Sequence, residues 1–225
     1  MTEKSIPTPE NRQRTIFVLS VMTLGIVLLI VFSKQKEGWM TGAVWGYGLS
    51  AIFLAYALIT KDIVLKKLFL FSITAGFAEL AADFWLVDYT KTLVYPIHEP
   101  MLVSSPAYMP FSWTVVLMEV GYIGWLLSHR WKMLQTSIFL CFLGAMIVPL
   151  YENWAIHAGW WYYVNTPKVF HVPTYVVAAE GLLMLTIPFM LRETENSGVF
   201  RIILWGLAEG VVMLLACFVA FSIFG

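Results

Sequence analysis

The sequence predicts an all-α, polytopic membrane protein: a bundle of seven transmembrane helices with its N-terminus in the cytoplasm and its C-terminus outside. Three observations carry this expectation. Sixty per cent of the 225 residues are hydrophobic and only 12 per cent are charged, too little polar surface for a soluble domain of that length. Seven apolar runs approach the ~20 residues needed to cross a hydrocarbon core. Ten of the 14 Lys and Arg residues fall on one side of the resulting arrangement, and the positive-inside rule makes that side cytoplasmic.

Residues 1–14, "MTEKSIPTPENRQR", read as a short polar tail, and residues 15–225 as a single membrane domain. The first apolar run, Thr15–Ser33, is too long for a signal-peptide core and lacks a small-residue cleavage pattern. The others are Gly42–Thr60, Leu68–Asp88, Phe111–Ser128, Met133–Glu152, Pro173–Leu191 and Val199–Phe224. The linkers "KDIVLKK", "HRWK" and "RETENSGVFR" are short, so successive helices pack as antiparallel neighbours. Two outer loops, about 89–110 and 153–172, are long and rich in aromatics and proline, which suits ordered lids. Cys141 and Cys217 sit in mid-span without CxxC spacing and read as small core residues. A net charge of zero gives no hint of a nucleic-acid partner. The expected surroundings are a bilayer, such as a cell's inner or plasma membrane, and the expected ligand is a lipid or isoprenoid small molecule.

The outer loops echo each other. Each opens on an acid and a Trp, passes through Tyr, then reaches Pro-x-Tyr and an acid in the next helix: Pro106-Ala107-Tyr108 before Glu119, and Pro173-Thr174-Tyr175 before Glu180. The echo suggests an internal repeat of two three-helix units, spans 2–4 and 4–6 or similar, with a site between them.

Acids mark the candidate site. Glu79 and Asp83 lie four apart, on one face of span 3. At ~1.5 Å per residue, Glu79 is roughly 14 Å from the outer end, Glu119 roughly 12 Å and Glu180 roughly 10 Å. Glu152 closes span 5 at the outer boundary, and Glu209 lies nearer the midplane. Nothing basic accompanies these carboxyls, and an ionised one facing lipid costs at least about 2.5 kcal/mol. They should therefore face the bundle interior, where some are protonated or bridged by a cation. Glu79, Asp83, Glu119 and Glu180 are the catalytic candidates, as general acid and base. Trp85, Tyr108, Trp113, Glu152, Asn153, Trp160, Trp161 and Tyr175 are the candidates for lining the substrate site; aromatic faces there would stabilise a cation or a polyene. An interfacial aromatic belt accounts for many such rings in any membrane protein.

His98, His157 and His171 share the outer side but have neither HxxxH nor HExxH spacing, so no metal is assigned. No cofactor is called for. Span 7 has no lysine, which argues against a retinal Schiff base, and no nucleophile elbow, P-loop or GxGxxG is present. Gly121, Gly124, Gly206 and Gly210 read as sites of close helix approach.

The stretch "ENWAIHAGWWYY…VFHVPTYVVAAE" resembles the lycopene-cyclase-domain family of small integral-membrane isoprenoid cyclases. Trp160, Trp161 and Tyr162 precede Pro173, and Glu180 stands seven residues on in place of that family's adjacent acid pair. The chain is also similar in size and span count to the seven-span meroterpenoid cyclases of fungi. These resemblances imply a membrane enzyme that protonates an isoprenoid, terpenoid or carotenoid-like substrate at a buried carboxylic acid, with cyclisation or isomerisation as the outcome. From the residues alone the alternative is a lipid- or ion-binding membrane protein, or a transporter, whose acid cluster holds a proton or a cation.

Overall fold

The computed structural model describes residues 9–96 and 99–225; residues 1–8 of the polar tail, with Lys4, and His98 lie outside the described residues. Among the described residues nine α-helical segments carry the fold: α1 (Pro9–Gln35), α2 (Trp39–Ile59), α3 (Ile63–Ala78), α4 (Leu80–Phe84), α5 (Met109–Ser128), α6 (Met133–Ala158), α7 (Thr174–Met184), α8 (Ile187–Glu195) and α9 (Val199–Phe224). Among the described residues six helices are long and apolar enough to cross a membrane, with α7 and α8 counted as one. The chain therefore has the form of a membrane protein. Its bundle surface agrees, since Leu58, Leu134, Phe142, Met146, Val211 and Phe218 are all more than half exposed. A belt of that kind needs lipid to cover it.

The third apolar run is helical in pieces. Glu79 joins α3 to α4 in helical conformation, its carbonyl accepting from both Ala82 (2.7 Å) and Asp83 (3.2 Å). A π-helical turn, Trp85–Tyr89, follows, closed by Thr90 N–H donating to the Trp85 carbonyl. Such turns rotate the face that a helix presents and recur at functional sites. Helix α3 packs against both α5 and α9, and α7 packs against α6 and α9. Small residues permit these approaches. A Cβ on Gly210 would stand 2.2 Å from that of Ala78, one on Gly206 would stand 2.7 Å from Thr74, and one on Gly124 would stand 2.4 Å from Leu140.

Several elements run further than expected. α1 starts six residues before Thr15, so Arg14 of the polar tail is helical and buried. Its guanidinium donates to Asp62 at 2.7 Å and lies over the Trp125 ring at 5.5 Å. Asp62 also caps α3 by accepting from the N–H groups of Val64 and Leu65 at 3.0 Å. Asp62→Asn keeps the cap but loses the ion pair, whereas Asp62→Ala loses both. Thermal unfolding in detergent should rank wild type, Asn, then Ala, with Ala about 1 kcal/mol below Asn; equal midpoints would remove the capping role.

The outer loops are ordered by three two-stranded antiparallel pairs: β1 (Leu93–Val94) with β4 (Tyr162–Tyr163), β2 (Met101–Leu102) with β3 (Ser105–Pro106), and β5 (Lys168–Val169) with β6 (Val172–Pro173). The last two are tight hairpins with the same detail. Each tip residue, Val103 or Phe170, has a left-handed backbone (φ 59° and 57°). After each hairpin an N–H reaches back to a proline carbonyl, Ala107 to Pro100 and Thr174 to Pro167. Bulky residues pay ~1–2 kcal/mol for that conformation, so the fold imposes it in both places. The Pro-x-Tyr echo is thus the exit of a hairpin into a helix. The matched geometry sits between α4 and α5 and between α6 and α7. The strand pair β1–β4 ties the two loops together.

Candidate functional site

Glu79, Asp83, Glu152 and Glu180 meet at the hairpin end of the bundle around an enclosed cavity of about 50 Å³. Met109, Trp113, Tyr95, Trp161, Tyr163 and Cys217 complete most of its wall. At ~10–15 Å³ per water, such a space holds about three or four water molecules.

Each carboxyl arrives by a different local device. Glu79 sits at the α3–α4 junction, with Asp83 one turn further along the same face. Helix α6 does not stop at Glu152 but continues to Ala158, where Gly159 at φ 81° ends it. Only glycine adopts that conformation freely, and the extra turns bring Glu152 inside the bundle. Glu180 is placed by the contact of α7 with α6, where a Cβ on Gly144 would lie 2.7 Å from the Glu180 carbonyl.

The four acids fall into two kinds. Asp83 Oδ2 accepts from the Tyr95 hydroxyl at 2.5 Å and from Ser105 Oγ at 2.7 Å. Glu152 Oε2 accepts from Trp161 Nε1 and from the Tyr163 hydroxyl, both at 2.9 Å. The two acid–tyrosine pairs correspond across the matched loops. By contrast, Oε2 of Glu79 and Oε2 of Glu180 are buried and accept no hydrogen bond among the described residues, although the Glu79 carboxyl also hydrogen-bonds Asp83 and the Trp113 indole. No Lys or Arg lines the cavity. Two carboxyls are held by tyrosine, serine or indole donors, while Glu79 and Glu180 each keep one oxygen without a partner among the described residues, and like charges this close cannot all be ionised together. Protonation or a bound cation must therefore offset part of that charge.

The tyrosines reinforce this. Burial first, then the Asp83 and Glu79 carboxyls, push the Tyr95 hydroxyl well above the usual tyrosine range, and burial followed by Glu152 does the same to Tyr163. Both remain hydrogen-bond donors at any pH the protein meets.

The remaining candidates lie elsewhere. Glu119 is buried but apart from the chamber: its Oε2 accepts from the Tyr151 hydroxyl at 3.1 Å, and Gly25 of α1 lies against its other oxygen. Trp85 packs on Phe218 and Phe221 of α9. Tyr175 shares a hydrogen bond with Thr92 at 2.9 Å. Trp160 donates to Thr41 at 2.8 Å, and the Tyr108 ring packs beside it and against Gly42. Asn153 faces away from the chamber, next to His171 at 3.0 Å, and the His171 and His157 rings meet at 4.5 Å. Among the described residues no group of three or more His, Cys, Asp or Glu side chains could hold a metal ion. Tyr95, Ser105, Tyr163 and Cys217 were not among the candidates.

Glu99, in the loop over this end, is buried beside the Tyr108 hydroxyl. Burial lifts its carboxyl from 4.5 to about 7, with Tyr108 pulling the other way. The folded loop thus favours protonated Glu99. Its stabilisation is complete below pH ~4.5 and is lost as pH rises through about 7. Protection factors across residues 99–108, with the intrinsic exchange rate at each pH divided out, should be lower at pH 8 than at pH 5 in wild type and the same at both in Glu99→Gln. The same pH response in both proteins would assign it to another group.

The fold and the chamber together define a helical membrane protein with a buried, uncompensated carboxyl cluster. Residues 80–224 match the family model described as a domain of unknown function (DUF6989), and the chain belongs to that family. No curated protein and no solved structure matches the chain.

Proposed function

We propose that this protein is a seven-span membrane enzyme that protonates a hydrophobic, isoprenoid-like substrate and then removes a proton from it. The observation that carries the reading is the division of the chamber into two carboxyls held by tyrosine, serine or indole donors and two with an unpartnered oxygen among the described residues, between the rings of Trp113 and Trp161. In the proposed step the O–H bond of Glu79 breaks and a C–H bond forms at one alkene carbon, leaving a carbocation at the other. The indole faces stabilise that cation. Glu180 then takes a proton from a neighbouring carbon, whose C–H electrons form the new double bond or follow ring closure. Proton return from Glu180 to Glu79 through the chamber restores the starting state. Asp83 and Glu152, anchored by Tyr95, Ser105, Trp161 and Tyr163, supply the fixed negative field.

The reading takes residues 63–89 as the third span, which puts the hairpin end and the C-terminus outside and the N-terminus in the cytoplasm, in an inner or plasma membrane. The 10-to-4 split of basic residues supports that orientation. The matched hairpins and acid–tyrosine pairs support two related helix–hairpin–helix units, with the chamber on the axis between them.

The test is incubation of the protein in lipid nanodiscs, in heavy water, with prenols, a linear carotenoid and a terminal prenyl epoxide, read by mass spectrometry. The expected result is a product isomeric with its substrate apart from the deuterium it has gained. No deuterium in any of them would overturn the reading. One observation favours a second reading, a proton- or cation-holding binder or transporter: the chamber as it stands is the size of a few waters. That reading expects pH-dependent ion flux in proteoliposomes and no product.

A further inference from the structure

A second cavity of about 50 Å³ abuts the acid chamber. Met109, Trp113, Glu152 and Trp161 line both, so these four side chains form the partition between them. Beyond the partition the wall is apolar and built from four helices: Leu29 of α1, Trp45 of α2, Val116 of α5, and Val148 and Ala155 of α6. Leu29, Trp45, Val148 and Ala155 are each at most 4 per cent exposed, so core side chains of the bundle form the floor of the recess. At its wall Tyr151 turns its hydroxyl away to Glu119 and presents its ring. Among the described residues the recess has no carboxyl beyond the shared Glu152, and one polar atom in its wall, the buried Ser112 Oγ, has no partner.

We infer that the recess and the chamber are two halves of one cleft, in which the recess takes the hydrocarbon end of the ligand and the Trp113 indole sets the chain length that fits. Three features point to that occupant. The recess is walled mainly by aliphatic and aromatic side chains, which favours an apolar chain over any polar group. It is continuous with the acids only through the partition, so a molecule filling both must be apolar at one end and reactive at the other. Trp113 is half-buried beside Glu79, so the ring that divides the cleft also stands at that carboxyl. The inference rests on the isoprenoid reading above for the chemistry of its ligand and on the cavities alone for its location.

The test uses photolabelling of the full-length protein in nanodiscs with farnesol carrying a diazirine at its hydrocarbon terminus. The label is expected on the α6 segment around Val148–Ala155 and on α1 around Leu29. Label confined to the lipid-facing Phe142 and Met146 would overturn the inference. Trp113→Ala should shift competition in favour of the next longer prenol by about tenfold relative to wild type, with Trp113→Phe, which keeps a ring and guards against misfolding, in between. Unchanged competition in both variants would remove the chain-length role. Label in the recess without deuterated product would leave this inference standing and remove the enzymatic reading. Product formation with label only on the lipid face would do the reverse.

Discussion

Replacing Glu79 by glutamine is expected to lower turnover by about 10²–10⁴-fold while leaving the fold intact. Glutamine has the shape of glutamate but no acidic proton to give. Among the described residues Glu79 Oε2 accepts no hydrogen bond and no Lys or Arg lines the cavity, and the glutamine amide keeps both a donor for Asp83 and an acceptor for the Trp113 indole. The thermal midpoint should hold or rise, because an uncompensated carboxyl has left a dry site beside Asp83. Asp83→Asn should behave differently. Tyr95 and Ser105 both donate to Asp83 Oδ2, and an amide is a weaker acceptor for each, so this variant should lose activity and also loosen the loop that carries both donors. Hydrogen exchange over residues 93–106 separates the two: unchanged in Glu79→Gln, faster in Asp83→Asn. Wild-type deuterium incorporation by Glu79→Gln would end its role as donor.

The contrast between the two acids was partly legible in the sequence, and what was missed has physical causes. Two carboxyls at i and i+4 in an apolar run can only share a face, so the pairing of Glu79 and Asp83 followed from spacing alone. Glu180 followed from depth. Glu119 has a comparable depth, yet depth along a helix axis says nothing about the direction a side chain points. The rotation of α5 is decided by its packing on α2 and α3, where Gly46 meets Ser112 and Gly76 meets Pro110, and this turns Glu119 toward α1 and Tyr151. Glu152 was read as a boundary residue because hydropathy fades after Leu150, whereas the helix ends only at the left-handed Gly159. Tyr95 and Tyr163 looked like any other rings of an aromatic belt until the strand pair β1–β4 brought them to the acids. The Pro-x-Tyr echo was visible, but the hairpins behind it were not, since they rest on hydrogen bonds between residues of unlike type.

The packing that aims Glu79 is also where the largest loss of stability is expected. Gly76 lies three residues before Glu79, and a Cβ there would fall 2.2 Å from the carbonyl oxygen of Pro110, 3.1 Å from its carbon and 3.3 Å from its Cα. All three atoms are backbone at the start of α5, so no side chain can swing aside, and the helices must part. Overpacking of that kind costs ~1–3 kcal/mol and at times more; against an immovable backbone Gly76→Ala should reach about 3 kcal/mol. For a chain of this length that is a fall in midpoint of roughly 6–12 °C. Gly48→Ala on α2 is the control, because nothing lies within 4 Å of its added Cβ; there the helix should gain up to ~1 kcal/mol from alanine's better propensity. Parting α3 from α5 also moves Glu79 away from Trp113, so surviving Gly76→Ala protein should lose turnover as well. Equal midpoints for the two alanine variants would mean that α3 and α5 are further apart than the Gly76–Pro110 contact requires, and the aim of Glu79 into the chamber would then lose its structural basis.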